Sequence, residues 1–467
     1  MTAETPVAAS TLPDPAQRYA HRGNLVDGKL TGHLFRMAAP MTWGIFAIIS
    51  FQLVDLFFIS MLGTDALAAI SFTMPVSMAI FSLILGLAIG TSSVLSRKIG
   101  QGEHHGVVRI TTHALLMGFI AGCILAGLGL LYSDHLFRAM GATPDMMVII
   151  AQYMHIWFAG AVFITLPVIG NAALRATGNA MFPAIVMTIA SVVNAIISPL
   201  LIFGLLGFPE MGVRGAALGT VFANAGAMIA GLYMLGWRMK MIQLRPFEFN
   251  MLGDSWKQLL LIGLPAGITN VIQPVTNGIL IGLLAAYGTE SVAAFGIVSR
   301  VEAFAFVVVM GLAGGMAPII GQNWGARRYD RVNETLRKAF AFNVIWSLFV
   351  AAVLAIWAKP IAGIFSDNAA VTAVAALYFW IVPITYATGN LVPGWASAFN
   401  AIGNPERAAL MIIFKHVVVL IPAAIIGGHI AGASGIFVAV AGTNLVVGMG
   451  LHLYGWRQFK RWAREAA

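Results

Sequence analysis

Runs of apolar residues, broken by charge clusters and by glycine or proline turns, recur twelve times along the chain. They lie at about 37–62, 66–96, 108–132, 147–171, 181–206, 213–236, 258–286, 291–320, 338–358, 370–398, 408–427 and 432–455. Each is long enough to cross a hydrocarbon core of about 30 Å as a helix. The stretch before the first run holds Pro6, Pro13, Pro15 and four basic residues but no apolar core. It reads as a cytosolic tail followed by an uncleaved insertion signal, and not as a cleavable leader. The pattern predicts an all-α integral membrane protein with twelve transmembrane helices.

Composition agrees. Of 467 residues, 59% are apolar and only 10% are charged, against roughly 25% charged in soluble domains. So few charges cannot cover the surface of a soluble protein of this size. The single cysteine, Cys123, excludes a disulfide scaffold. A net charge of +9 would suggest nucleic acid in a soluble protein, but here the positions of the charges decide. With the N-terminus inside, twenty-two of the basic residues fall in cytosolic segments. Arg138, Arg214 and Lys359 fall outside, and Arg300 and Lys415 lie within spans. That bias puts both termini in the cytosol and leaves no reason to expect a nucleic-acid partner.

The two halves of the chain repeat at an offset of 225 residues. Pro40 meets Pro265, Gly63-Thr64-Asp65 meets Gly288-Thr289-Glu290, and Gly86 and Gly90 meet Gly311 and Gly315. Gly100 meets Gly325 and Gly178-Asn179 meets Gly403-Asn404, while Trp237-Arg238 is echoed by Trp456-Arg457. Six spans per repeat give both copies the same orientation, so the path for a substrate lies between two lobes. The organisation expected is a tail over 1–36, an N-lobe over 37–237, a cytosolic linker over 238–257, a C-lobe over 258–456 and a tail over 457–467. The two small-residue pairs are expected to pack helices closely within each lobe. Gly23 to Lys29 mimics a phosphate-binding loop, but Leu30 stands where a Mg²⁺-binding hydroxyl is needed. With no such loop and no zinc-ligand motif, no enzymatic role and no cofactor are expected, and an ion gradient is the expected driving force.

Ionisable residues within spans mark function by default. Those here are Asp55, Arg300, Glu302 and Lys415, with His155 and His416. Asp55 is flanked by Leu53, Val54, Leu56, Phe57 and Phe58, and is the candidate to take up and release a proton. An ion pair between one of the acids and Arg300 or Lys415 is the structural alternative. Arg300 and Glu302, two residues apart, face different sides of a helix and do not pair with each other. Lys415 is placed near the cytosolic end of its span, where it can snorkel to the surface. The amides Gln52, Asn194, Asn270, Gln273, Asn277 and Asn390 serve as interhelical glue or as cavity lining.

Several stretches carry a family resemblance: LVDLFFISMLGTDALAA (53–69) after Pro40, LRATGNAMFPAI (174–185), SVVNAIISPLLIFG (191–204), GAALGT (215–220) and APIIGQNWGARR (317–328). From about residue 33 to 457 the chain resembles the multidrug and toxic compound extrusion (MATE) family. The resemblance implies two six-helix bundles in a V, in a bacterial inner membrane. It further implies a monomer that exports amphipathic cations in exchange for H⁺ or Na⁺. Asp55 matches the family's amino-lobe cation-site aspartate, Pro40 the proline at which the first helix bends, and Asn194 and Thr220 polar members of the same site. Ser198 stands where the pattern often has a second acid, and Gln273 where the NorM-type branch has a glutamate, so the chain looks DinF-like. One carboxyl favours H⁺ at Asp55, with Na⁺ at Asp55 and Asn194 as the alternative ion. A flippase for lipid-linked precursors, from the same superfamily, is the alternative function.

Overall fold

The computed structural model describes residues 24–465; Pro6, Pro13, Pro15, Arg18 and Arg22 lie outside the described residues. The first six spans are α1 (Leu30–Ser60), α2 (Thr64–Gly100), α3 (His104–Ala139), α4 (Pro144–Ala159 and Ala161–Ala176), α5 (Met181–Phe203) and α6 (Val213–Arg238). The next four are α7 (Phe249–Ala285), α8 (Thr289–Gly325), α9 (Tyr329–Ile356) and α10 (Ala369–Ile402). The two arms of α4 meet at 49°. The remaining helix, Pro405–Glu465, runs 61 residues, about twice what a membrane needs. Its backbone leaves helical geometry at Ala431 (φ −139°) and Gly432 (φ 63°), and Gly427 lies against Gly435. A straight helix would hold those two glycines about 12 Å apart, so the chain doubles back there. The arms are α11 (405–431) and α12 (433–465), and the spans among the described residues number twelve.

Helices run past the expected limits at the basic end of the molecule. α1 begins at Leu30, α7 at Phe249 and α12 continues to Glu465. The tail expected from 457 is therefore helical at its start, and the linker shrinks to about 239–248. Charged residues can extend a helix into water once its apolar part has been anchored, which the apolar pattern alone does not register.

The repeat is visible in the turns. α2 and α8 both follow a glycine at positive φ, Gly63 at 111° and Gly288 at 104°, a conformation that side chains avoid. It is plainer still where the halves meet. A Cβ on Gly86 would stand 2.4 Å from the backbone of Gly263 and Gly267 on α7, and one on Gly90 would stand 2.5 Å from the Leu259 carbonyl. Their counterparts Gly311 and Gly315 press on the backbone of α1 at Thr42 and Ala38, at 2.7 Å each. The glycine pairs thus join the two lobes to each other, contrary to the expectation that they pack helices within a lobe. Spacing shows that a helix has a flat face but not which neighbour lies on it.

Nearest the basic end the reciprocity reaches single atoms. Arg97 Nη1 donates to the Ala401 carbonyl at 3.3 Å, and Gln322 Nε2 donates to the Ala176 carbonyl at 2.7 Å. Gln322 is the 225-residue counterpart of Arg97, and Ala401 of Ala176. Gly100 lies on the backbone of Gln322 and Gly325 on that of Arg97. α2 and α8 therefore cross on the pseudo-two-fold axis and close the basic end of the V. The chain before α1 adds a further tie: the buried Leu25 amide donates to Gln322 Oε1 at 3.0 Å, and its carbonyl accepts from Asn323 Nδ2 at 3.1 Å. On the α1–α8 side the close contacts reach to Phe46–Phe304, with ring centroids 6.0 Å apart.

Candidate functional site

Three helices of the N-lobe converge near the end opposite the basic one. Asp55 is five residues from the end of α1, Ser198 five from the end of α5, and Thr220 seven from the start of α6. At 1.5 Å per residue they share one level, roughly 7–11 Å below that end. α5 has the family-like stretch with Asn194 and Ser198 one turn apart, so both point the same way.

The hydrogen bonds run in a single direction. Thr220 Oγ1 donates to the Ala216 carbonyl at 3.2 Å, so it accepts from Asn194 Nδ2, also at 3.2 Å. That fixes the Asn194 amide with Oδ1 toward Ser198, whose hydroxyl donates to it at 2.6 Å. Asn224 donates to the Thr220 carbonyl at 2.8 Å. The Asp55 carboxyl lies beside the Ser198 hydroxyl, and its Oδ1 is buried without a hydrogen-bond partner among the described residues. Tyr153 of α4 lies within electrostatic reach of Asp55.

A hydroxyl has one proton to give. While Ser198 gives it to Asn194, it can only accept from Asp55, which requires Asp55 to carry a proton. When Asp55 is ionised, the Ser198 proton turns to the carboxylate and Asn194 Oδ1 loses its donor. The arrangement can therefore convert one protonation event into a rearrangement across α1, α5 and α6.

Pro40 lies within α1, which is continuous from Leu30 to Ser60. A cavity of about 560 Å³ opens beside it, lined among others by Phe35, Trp43, Met181 and Ile185.

The C-lobe is built differently. Glu302 Oε1 accepts from the hydroxyls of Tyr378 at 2.7 Å and Tyr386 at 2.5 Å. Buried Lys415 donates to the Gly389 carbonyl at 3.0 Å. That carbonyl is available because the residue four ahead of it in α10 is Pro393, which has no N–H to donate. Lys415 is thus held inside the lobe, against the expectation that it snorkels. His416 beside it has a buried Nδ1 without a partner among the described residues. Neither Asp55 nor Glu302 forms an ion pair with Arg300 or Lys415, so the pairing left open by the sequence is not made. His155 faces Asp134 at 3.6 Å, and Asn390 donates to Ser347 at 3.3 Å.

The helices that join the lobes carry exposed polar groups of their own. The antiparallel contacts Ala38–Gly315, Thr42–Gly311 and Phe46–Phe304 place Gln52 opposite Arg300 by register. Both are exposed, and Arg300 shares the helix face of Phe304 and Gly311. On α7, Asn270, Gln273 and Asn277 are spaced i, i+3, i+7 and form one stripe, with Gln273 and Asn277 exposed. The expected residues therefore divide into an enclosed N-lobe cluster of Asp55, Asn194, Ser198 and Thr220, and an exposed group of Gln52, Gln273, Asn277 and Arg300 on α1, α7 and α8. Sequence reasoning missed Tyr378 and Tyr386 as the partners of Glu302, and the Arg97–Ala401 and Gln322–Ala176 bonds. The 225-residue offset, which pairs those four residues two by two, was the available signal for the latter.

The profile of the family described as MatE matches residues 40–200 and again 265–426, two stretches that begin 225 residues apart. The FAD transporter of Shewanella oneidensis is 34% identical over 436 residues, covering 93% of this chain and 96% of that one. The multidrug export protein MepA of Staphylococcus aureus is 26% identical over 416 residues, covering 86% and 88%. Among solved structures, a mutant of the Vibrio cholerae MATE transporter VcmN superposes with a TM-score of 0.88 at 28% identity, covering 96% of this chain and 98% of that one.

Proposed function

The chain belongs to the MatE family of membrane transporters, and on that premise we propose that it is a proton-coupled exporter whose coupling group is Asp55. The observation that carries this reading is the Asp55–Ser198–Asn194–Thr220 cluster, in which the Ser198 hydroxyl gives its one proton to Asn194 and lies beside the Asp55 carboxyl, so that it can turn to that acid when the acid is ionised. With the basic end in the cytosol, the lobes are shut inside and the acid lies near the outer side. A proton arriving from outside reorders α1 against α5 and α6, in the region beyond Pro40, and releases cargo. Ligand and proton then exclude each other, which is the condition for exchange. Na⁺ coordinated by Asp55 and Asn194 is the competing ion.

For the cargo, the amphipathic cation expected from the family is the reading supported by the relatives named for multidrug export. The cleft favours a different one. Its charged group on the facing helices is a cation, Arg300, among amides, while Glu302 is held by two tyrosines of its own lobe and Asp55 lies enclosed beside Ser198. Together with the relative named FAD transporter, this supports an aromatic anion of the flavin dinucleotide type as the principal cargo, its pyrophosphate near Arg300 and its rings against the apolar walls.

The two cargoes separate on membrane potential. A monovalent cation exported against one proton moves no net charge. A dianion exported against one proton moves about three charges down the potential, about 7 kcal/mol per 100 mV. In proteoliposomes carrying an imposed pH gradient and a potential negative on the side from which cargo leaves, collapsing that potential to zero with valinomycin and equal K⁺ should therefore slow flavin dinucleotide export sharply. Export of a cationic dye that is indifferent to the clamp, with no flavin movement, would return the cargo to the cations. Movement of a lipid-linked precursor alone would identify a flippase.

A further inference from the structure

A cavity of about 460 Å³ opens at the basic end of the C-lobe, far from Asp55 and from the cleft, and is lined by Arg337 of α9 and by Leu453, Trp456, Arg457 and Lys460 of α12. We propose that it binds the phosphodiester headgroup of an anionic phospholipid. The charges around it explain why. Lys338, next to Arg337, is engaged by Glu334 at 2.6 Å, and Arg461, next to Lys460, by Glu465 at 2.7 Å. These i, i+4 pairs use up the nearby carboxylates. Arg337, Arg457 and Lys460 are exposed, form no ion pair among the described residues, and converge on one space with no carboxylate in its lining. Like charges held together in this way repel until an anion joins them.

The walls select a lipid over a soluble anion. Leu453, Arg457 and Lys460 are spaced i, i+4, i+7 and form one stripe of α12, apolar on the membrane side and basic toward the helix end. Leu453 is 53% exposed one turn deeper than Arg457. Trp456 packs edge-on against Phe340 of α9 with centroids 6.3 Å apart, so its indole lines the gap at the depth where aromatic belts sit. An acyl chain can lie along Leu453 and Trp456 while the phosphate occupies the cation triad. The first lobe has no such triad. Its Trp237-Arg238 occupies the equivalent helix end, but α6 stops there while α12 runs on through Lys460 to Glu465, and the counterpart of Arg337 is Thr112.

The test is native mass spectrometry of the purified full chain titrated with dioleoyl phosphatidylglycerol and, separately, with dioleoyl phosphatidylcholine. Wild type should retain the phosphatidylglycerol preferentially. Each basic residue at an anionic surface contributes about fivefold, so Arg337→Gln/Arg457→Gln/Lys460→Gln should weaken retention on the order of a hundredfold. Lys338→Gln/Arg461→Gln/Arg464→Gln, which removes the same charge beside the cavity, should leave it within about twofold of wild type. Should the triple variant not purify, Arg337→Gln and Lys460→Gln singly provide the same reading at about fivefold each. The proposal is overturned if the cavity triple retains phosphatidylglycerol as wild type does, or if the control triple loses it equally. It is also overturned if inorganic phosphate displaces the lipid at matched concentration, since the site would then take the free anion.

Discussion

The two lobes descend from one repeat, yet they are identical in plan only where they touch. At the basic end the counterparts do the same work: Arg97 and Gln322 cap carbonyls at Ala401 and Ala176, and two pairs of glycines admit the opposite lobe's backbone. In the interiors they diverge. Asp55, Asn194 and Ser198 correspond to Leu280, Val419 and Ala423, so the whole amino-lobe cluster is apolar in the second copy. The C-lobe acid has moved to the second helix of its repeat, where Ser77 is the counterpart of Glu302. One element survives in both interiors: Tyr153 and Tyr378 correspond, Tyr378 donating to Glu302 and Tyr153 lying within electrostatic reach of Asp55. Symmetry was kept where both lobes must close on each other, and lost where a single lobe can host the chemistry.

The largest break in this comparison comes from exchanging the acids for amides. Asp55→Asn should abolish gradient-driven export, whereas Glu302→Gln, whose amide oxygen can still accept from both tyrosines, should change it by no more than about twofold. Transport assays on the pair at equal expression measure this directly.

Next in size is the inter-lobe seam. Gly86→Leu and Gly311→Leu should each cost about 1–3 kcal/mol or more of stability through overpacking, and by similar amounts, because the contacts are reciprocal. Thermal unfolding of the two variants in detergent checks both the loss and its symmetry. A large loss for one and none for the other would show that the seam is not shared equally.

Smaller again is Ser198→Ala, which removes the hydroxyl that links Asp55 to Asn194. A cost of about 1–2 kcal/mol in the linkage should appear as a roughly tenfold change in the proton concentration giving half-maximal export. Ala423→Ser, the same exchange at the counterpart position, should leave that value unmoved. Of similar size is Gln322→Ala, which removes two neutral hydrogen bonds at the closed end, to the Ala176 carbonyl and from the Leu25 amide, together about 1–2 kcal/mol. It should raise the population open at the basic end severalfold, read from distances between spin labels on α2 and α8.

Much of this was legible in the chain. Apolar runs located twelve spans because each must cross the same thickness of hydrocarbon, and the offset of 225 gave the symmetry of the seam. Asp55 was visible because a carboxylate among Leu53, Val54, Leu56, Phe57 and Phe58 has no cheap explanation. What the sequence could not supply was the direction in which groups point. Lys415 reads as a snorkelling lysine until it is found on the Gly389 carbonyl, which Pro393 leaves without a helical donor. Gly86 and Gly90 read as packing within a lobe until α7 is found lying on them. Ser198 reads as a lost acid until its single proton is traced between Asn194 and Asp55.

The most direct test of coupling through one lobe separates accumulation from exchange. Proteoliposomes containing wild type, Asp55→Asn or Glu302→Gln are assayed first for uphill movement of cargo under an imposed pH gradient, then for equilibrium counterflow without one. Asp55→Asn should lose accumulation and keep counterflow, while Glu302→Gln keeps both. Full accumulation by Asp55→Asn, or its loss in Glu302→Gln alone, would contradict the assignment.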